Sequence, residues 1–256
     1  MSLSPITSPL LELPGIRHAF FSRQGGVSKG VYEGLNVGLG SSDDPRDVAE
    51  NRRRAAEWFA LPPQALATCY QIHSASALIA EHGFGEARPE GDAVATRTRG
   101  IVCGALAADC APILLADPQA GVVAAAHAGW RGALAGIAEA TVARMIELGA
   151  KPGRIVAAVG PCIGPASYEV GLDFLVSFTA ADTAYEGFFQ PGDTADKRLF
   201  DLPGFVLSRL RAAGVGTCEW TGHDTVPDET RFYSNRRAFR RAEPDFGRML
   251  SAIALS

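Results

Sequence analysis

Long apolar runs are missing from this chain of 256 residues. The most hydrophobic stretches, residues 113–116 and 122–126, fall far short of the ~20 residues that cross a bilayer, so no membrane partner is expected. Residues 1–14 lack a basic start followed by an apolar run of about 7–15 residues, so no export signal is expected and the location is read as cytoplasmic. Charge of one sign is also absent in blocks, and the formal net charge is only −4. That balance offers no general attraction to nucleic acid or anionic lipid. Cysteine is scarce and odd in number: the five, Cys69, Cys103, Cys110, Cys162 and Cys218, are scattered and read as reduced thiols, not a disulfide framework. Histidine is equally scarce, with five in all: His18, His73, His82, His127 and His223. Repeats, low-complexity tracts and linkers are absent too. Residues 1–256 therefore read as one domain, with 1–15 as an extended tail and a monomer as the default state.

What is present is an ordinary globular composition, 47% hydrophobic and 20% charged. Strand-like runs are expected at residues 16–21, 67–72, 92–96, 101–107, 113–117, 122–126, 155–159, 215–220 and 248–253. Several are apolar on both faces, as strands buried between layers must be. Asp44-Pro45 opens a helix to about residue 59, since Asp caps and Pro suits the first turn, and Pro62-Pro63 blocks its continuation. Residues 133–148 carry an apolar stripe that predicts one amphipathic helix, stopped by Gly149. Further helices are expected at 172–179 and 203–213. The strands are too crowded for strict β-α-β alternation, so the class is α/β (α+β), a layered domain of mixed β-sheets with flanking helices.

His73, Cys110 and His127 each stand where an expected strand gives way to a turn, a common place for reactive groups. Two imidazoles and a thiolate form a three-ligand set for Zn²⁺, with a fourth position for water or substrate. Their spacing is no compact metal signature, and a buried thiol with two histidines satisfied by carbonyls gives the same pattern. Gly129 and Gly132 flank Trp130-Arg131 ahead of the expected helix, a seat for phosphate or carboxylate, unless Arg131 is simply solvated. Asp109 can orient an imidazole beside the centre or cap a turn. Residues 51–54 (Asn-Arg-Arg-Arg) read as a solvated helix face, and Cys162 as a packed thiol.

As a set, the residues carry a resemblance. Ser22-Arg23-Gln24-Gly25-Gly26-Val27-Ser28, Leu35-Asn36-Val37-Gly38, Asn51-Arg52, Gln71-Ile72-His73-Ser74, Ala108-Asp109-Cys110-Ala111-Pro112, His127-Ala128-Gly129-Trp130-Arg131-Gly132, Gly160-Pro161-Cys162-Ile163-Gly164-Pro165 and Tyr168-Glu169-Val170-Gly171 occur in this order. Together they resemble the YfiH family, also called laccase-domain or multicopper polyphenol oxidase family proteins, or peptidoglycan editing factor. The resemblance implies a fold similar to the catalytic domain of cytotoxic necrotizing factor toxins, and a metal, usually zinc, on His73, Cys110 and His127. It also implies purine nucleoside phosphorolysis (adenosine, inosine, guanosine, methylthioadenosine) and adenosine deamination. Arg23, Asn36, Arg52, Arg131 and Glu169 are the expected substrate-binding residues, the three arginines for phosphate and Glu169 as an acid/base group. The sequence departs from the family near its end. Phe232-Tyr233-Ser234-Asn235-Arg236-Arg237 stands where Phe-Phe-Ser-Tyr-Arg-Arg is usual, and Asp224-Thr225 where Cys-Thr often precedes it.

The oxidase name fits the residues least. A type 1 copper with a trinuclear cluster is imidazole-rich, and five histidines cannot hold four coppers, although one His₂Cys centre can bind a single copper. A zinc centre suits deamination, though the Glu-containing signature of zinc deaminases is absent. A metal-free rival uses Cys110 as nucleophile and His73 or His127 as base to cleave an amide, as in trimming a cell-wall precursor. A non-catalytic metal- or nucleotide-binding protein is the third reading.

Overall fold

The computed structural model describes residues 3–85 and 87–256. In chain order the strands are β1 (Ile16–Phe20), β2 (Leu66–Thr68), β3 (Ala77–Ile79), β4 (Ala93–Thr96), β5 (Val102–Ala107), β6 (Ala111–Asp117), β7 (Val122–Ala128), β8 (Val156–Val159), β9 (Glu169–Gly171), β10 (Phe189–Pro191), β11 (Lys197–Phe200), β12 (Thr217–Trp220) and β13 (Met249–Leu255). The α-helices are α1 (Pro45–Trp58), α2 (Trp130–Ala135), α3 (Ile137–Glu147), α4 (Leu172–Thr179), α5 (Leu202–Ala212) and α6 (Asn235–Arg240).

The strands form three sheets, a mixed α/β architecture as the strand crowding implies. A six-stranded sheet runs β12-β8-β6-β7-β4-β3, a four-stranded sheet runs β1-β13-β5-β2, and a small sheet runs β10-β11-β9. At the centre, β6 and β7 pair antiparallel and every residue of both is buried. Side chains alternate along a strand, and here each face meets a different layer. Ile113, Leu115, Ala124 and Ala126 pack toward α3 and α5, whereas Leu114, Ala116, Val123 and Ala125 pack toward Cys103, Ala105 and Ile253 of the four-stranded sheet. Two-sided burial is the physical reason these runs lack the usual polar alternation. Asp117 closes the hairpin, accepting from the Gln119 and Ala120 amides at 3.0 and 3.1 Å.

Helix α1 starts as its sequence dictates: Asp44 accepts from the Arg46 amide, and Pro45 occupies the first helical position. The helix expected over 133–148 is instead two helices. Gly136 sits at φ 102° between α2 and α3, a left-handed conformation that glycine adopts without penalty and that turns the chain between them. The strand expected over 67–72 is confined to β2, and the chain then leaves the sheet as a loop toward His73. Residues 3–15 are docked on the sheets. Ile6 and Phe20 exchange backbone hydrogen bonds of 2.9 Å, the Ser8 amide donates to His18 Nε2 at 2.9 Å, and Leu11 is fully buried between the large sheets. The small sheet escaped the sequence reading because its strands are three or four residues long. It is held by an aromatic cluster in which Phe178 lies 4.7 Å from Phe200 and 5.0 Å from Phe205.

Candidate metal centre and its cleft

Pairing of β6 with β7 brings two of the three expected ligands together. Ala111 lies opposite Ala128 and Pro112 opposite His127, so Cys110, one residue before β6, emerges beside Gly129. A methyl group on Gly129 would stand 2.8 Å from His73 Cδ2 and 3.0 Å from Cys110 Sγ, closer than packing allows. Glycine here is a condition for the three side chains to meet.

His73 arrives from the loop after β2, at φ 59°, a backbone state rare for a residue with a Cβ. Asp92, just before β4, sustains it. One carboxylate oxygen accepts the His73 amide at 3.0 Å, and the other accepts the Ser74 amide at 2.6 Å and the Ser74 hydroxyl at 2.8 Å. The same carboxylate holds His127 Nδ1 at 2.9 Å. With Nδ1–H given to Asp92, Nε2 of His127 keeps its lone pair for the centre. Nε2 of His73 lies 3.9 Å from Cys110 Sγ, and one donor atom each from His73, Cys110 and His127 fall within 4.8 Å of one another. Donors around a tetrahedral zinc at ~2.0–2.3 Å stand about 3.3–3.8 Å apart, so small side-chain adjustments suffice. The donor set therefore fits one divalent ion. Burial pushes the Cys110 thiol up, but the facing His127 and His73 outweigh it and hold it below the ordinary thiol value. Burial pulls His127 down, and Cys110 and Asp92 together raise it. A thiol biased toward thiolate is what a metal ligand or a nucleophile requires.

The centre opens into a cleft of about 310 Å³ lined by Trp130, Arg131, Ile163, Tyr168, Leu202, Asn235 and Arg236 beside His73 and Cys110. Small-molecule sites start at about 300 Å³; this one sets an apolar and aromatic wall (Trp130, Ile163, Tyr168, Leu202) against an equally large polar one (His73, Arg131, Asn235, Arg236).

Of the five residues expected to bind substrate, only Arg131 lines this cleft. Arg52, expected on a solvated helix face, is buried, donating to the Val37 carbonyl at 3.3 Å and Thr68 Oγ1 at 3.0 Å. Asn36 is fully buried, tying Ser41, Asp43 and the Arg248 amide together. Arg23 lies over the Tyr233 ring in a separate, larger groove, its guanidinium satisfied by the Glu33 and Glu229 carbonyls. Glu169 is drawn to the cleft rim through its carbonyl, which accepts from Arg236 Nη1 at 2.7 Å. Asp109 is not bonded to either imidazole; it accepts from Thr225 Oγ1, Ser234 Oγ and the Arg236 amide at 2.6, 3.0 and 2.6 Å. The orienting carboxylate is Asp92, which the sequence reading placed at the start of a strand. Its only signal was an acid at the edge of an apolar run. Cys162 is a fully buried core thiol. His18 is buried against Ser8, so it cannot extend the centre.

Residues 17–256 match the family described as multi-copper polyphenol oxidoreductase laccase. The chain belongs to this family. Among its relatives, a Deinococcus radiodurans protein named purine nucleoside phosphorylase is 43% identical over 250 residues, covering 96% of this chain and 93% of that one. The Escherichia coli purine nucleoside phosphorylase YfiH is 37% identical over 244 residues, 94% of each chain. The crystal structure of Neisseria meningitidis NMB0706 superposes over the full length of both chains with TM-score 0.89 and 32% identity. The family's mixed-sheet fold is thus this chain's fold. Among the described residues, no helix is long and apolar enough to cross a membrane.

Proposed function

We propose that this chain is a zinc-dependent purine nucleoside phosphorylase, acting on adenosine, inosine, guanosine and methylthioadenosine, with adenosine deamination as a second activity of the same cleft. The observation that carries the reading is the convergence of His73, Cys110 and the buried His127 beside a cleft that also presents Arg131 and an apolar, aromatic wall. The relatives' names point to the same reaction. All five cysteines are free, in keeping with a cytoplasmic enzyme, and a monomer is the favoured state in this reading.

In phosphorolysis an oxygen of phosphate bonds to C1′ of the ribose as the C1′–N9 bond breaks. The bond pair leaves with the purine, which takes up a proton. Arg131 brings a guanidinium to the phosphate, and Tyr168, Ile163 and Leu202 bound the space for the nucleoside and keep water from competing. Asp92 holds His127 and the His73 loop in register throughout. A divalent ion on His73, Cys110 and His127 supplies Lewis acidity when bound. Copper on the same His₂Cys set is the alternative occupant. A multicopper centre is not part of this proposal, because only two imidazoles line up with the thiol.

The test is phosphate-dependent release of adenine from adenosine by zinc-loaded protein, with loss in Cys110→Ala and His127→Ala. Turnover that survives complete metal removal would contradict the metal dependence, and no turnover of any purine nucleoside would contradict the activity.

A second reading rests on the order Asp92, His127, Cys110. A carboxylate on Nδ1 of an imidazole that faces a thiol is the arrangement of a thiol hydrolase. Such an enzyme could trim an amide-linked residue from a cell-wall precursor. It predicts covalent labelling of Cys110 by an electrophilic amide and hydrolysis without metal.

A further inference from the structure

Two arginines line the cleft, and neither has an acidic partner among the described residues. Several arginines elsewhere do have one, as in Arg54 with Glu50, Arg154 with Asp117, Arg209 with Glu139 and Arg241 with Glu229. Arg131 makes no hydrogen bond or ion pair among the described residues, and its guanidinium lies 5.1 Å from the centroid of Trp130. Arg236 lies 5.2 Å from the centroid of Tyr168, and one N–H of its guanidinium is committed, to the Glu169 carbonyl at 2.7 Å. Guanidinium carries five N–H donors, so most of those on Arg236 remain for a ligand.

The two groups are held differently but aimed alike. The Arg236 backbone is pinned by the hydrogen bond its amide N–H donates to the carboxylate of Asp109, the residue next to Cys110, at 2.6 Å, and Arg131 follows β7 four residues after His127. Each guanidinium rests on an aromatic face, which restricts its motion without using its donors. The cleft's one acidic lining residue, Asp109, is 7% exposed and spends both oxygens on Thr225, Ser234 and the Arg236 amide. Asp109 is thus turned into its own hydrogen bonds, and two cations that form no ion pair among the described residues face the space beside the centre.

We propose that Arg131 and Arg236 form a two-armed clamp for the phosphate co-substrate. This deepens the phosphorylase reading and rests on it. The clamp orients the dianion toward C1′, and two forks compensate the charge that one arginine would hold only from one side. It replaces Arg23 and Arg52, whose guanidinium groups are spent on backbone carbonyls and Thr68.

The experiment uses full-length, metal-loaded protein and inorganic phosphate. Arg131→Ala and Arg236→Ala are each expected to raise the KM for phosphate at least ~10-fold, the scale of a lost charge-assisted pair, while the KM for inosine changes less than about 2-fold. Arg236→Lys is expected to recover part of the phosphate affinity and guards against misfolding of the alanine variant. Phosphate-induced thermal stabilisation is read in parallel without substrate. Wild type should gain stability with phosphate, and both alanine variants should not. A rise in inosine KM with unchanged phosphate KM overturns the clamp. So does phosphate stabilisation that survives in either alanine variant, or none in wild type. If phosphate stabilises wild type through these arginines but no nucleoside is turned over, the anion site stands and the phosphorylase reading falls.

Discussion

Asp92 and His127 are joined twice: Asp92 Oδ1 meets His127 Nδ1 at 2.9 Å, and the Asp92 carbonyl accepts the His127 amide at 2.7 Å. The first contact fixes the imidazole ring and the second fixes its strand. Because the same carboxylate also gathers the amides of His73 and Ser74, a single buried acid sets the positions of two of the proposed metal ligands from different parts of the chain.

Asp92→Asn should therefore weaken the metal centre without removing a ligand. Loss of such an orienting partner costs about 10–100-fold in metal affinity. Competition with a chelator measures it. Affinity equal to wild type would show that the ligands hold their own geometry.

Gly129→Ala is expected to keep the fold and damage the site. The added methyl would press on His73 Cδ2 and Cys110 Sγ, and overpacking of this kind costs about 1–3 kcal/mol. Thermal melting should fall modestly while metal content falls steeply. A variant with full metal occupancy would mean the loop yields more readily than its hydrogen bonds to Asp92 imply.

Arg52→Ala should act on stability alone. Its guanidinium links α1 to Val37 and Thr68 in the interior, and stranding those acceptors costs roughly 1–3 kcal/mol. Denaturant melts and phosphate KM decide. A raised phosphate KM in a variant of unchanged stability would restore Arg52 to the substrate site.

Asp117 offers a pH signature far from the cleft. Burial pushes its carboxyl up, but the Lys151 and Ala120 amides and Arg154 outweigh that and lower it. A lowered folded-state pKa means the stabilisation is full above about pH 4, the unfolded value, and is lost as pH falls through the folded one. Asp117→Asn should be less stable than wild type by about 2 kcal/mol at neutral pH, with Arg154 partly screened by solvent. The gap should close in acid. A gap constant with pH would assign the effect to packing.

The meeting of His73, Cys110 and His127 and the central sheet were legible because both are local in signal. Runs such as 122–126 are apolar on both faces; Cys110 and His127 sit at facing ends of β6 and β7, while His73 lies on a loop beyond β2 that the apolar run 67–72 did not announce. Asp92 was not legible, since a lone acid beside a strand carries no mark of the two loops it will gather. Gly136 was hidden because the apolar stripe continues across it, so periodicity alone joined α2 to α3. Arg52 was misread because Arg53 and Arg54 beside it do face outward, pairing with Glu50. Helical phase, not composition, separates the buried arginine from its neighbours. Arg236 stood in a recognised motif, but only the bond from its amide to Asp109 reveals which wall it joins.

X-ray absorption at the metal edge of the purified, metal-loaded protein tests the account most directly. One ion per chain with one sulfur at about 2.3 Å and two imidazole nitrogens at about 2.0–2.1 Å, the sulfur lost in Cys110→Ala, is the expected result. A bound ion whose first shell contains no sulfur, or is unchanged in that variant, would contradict it.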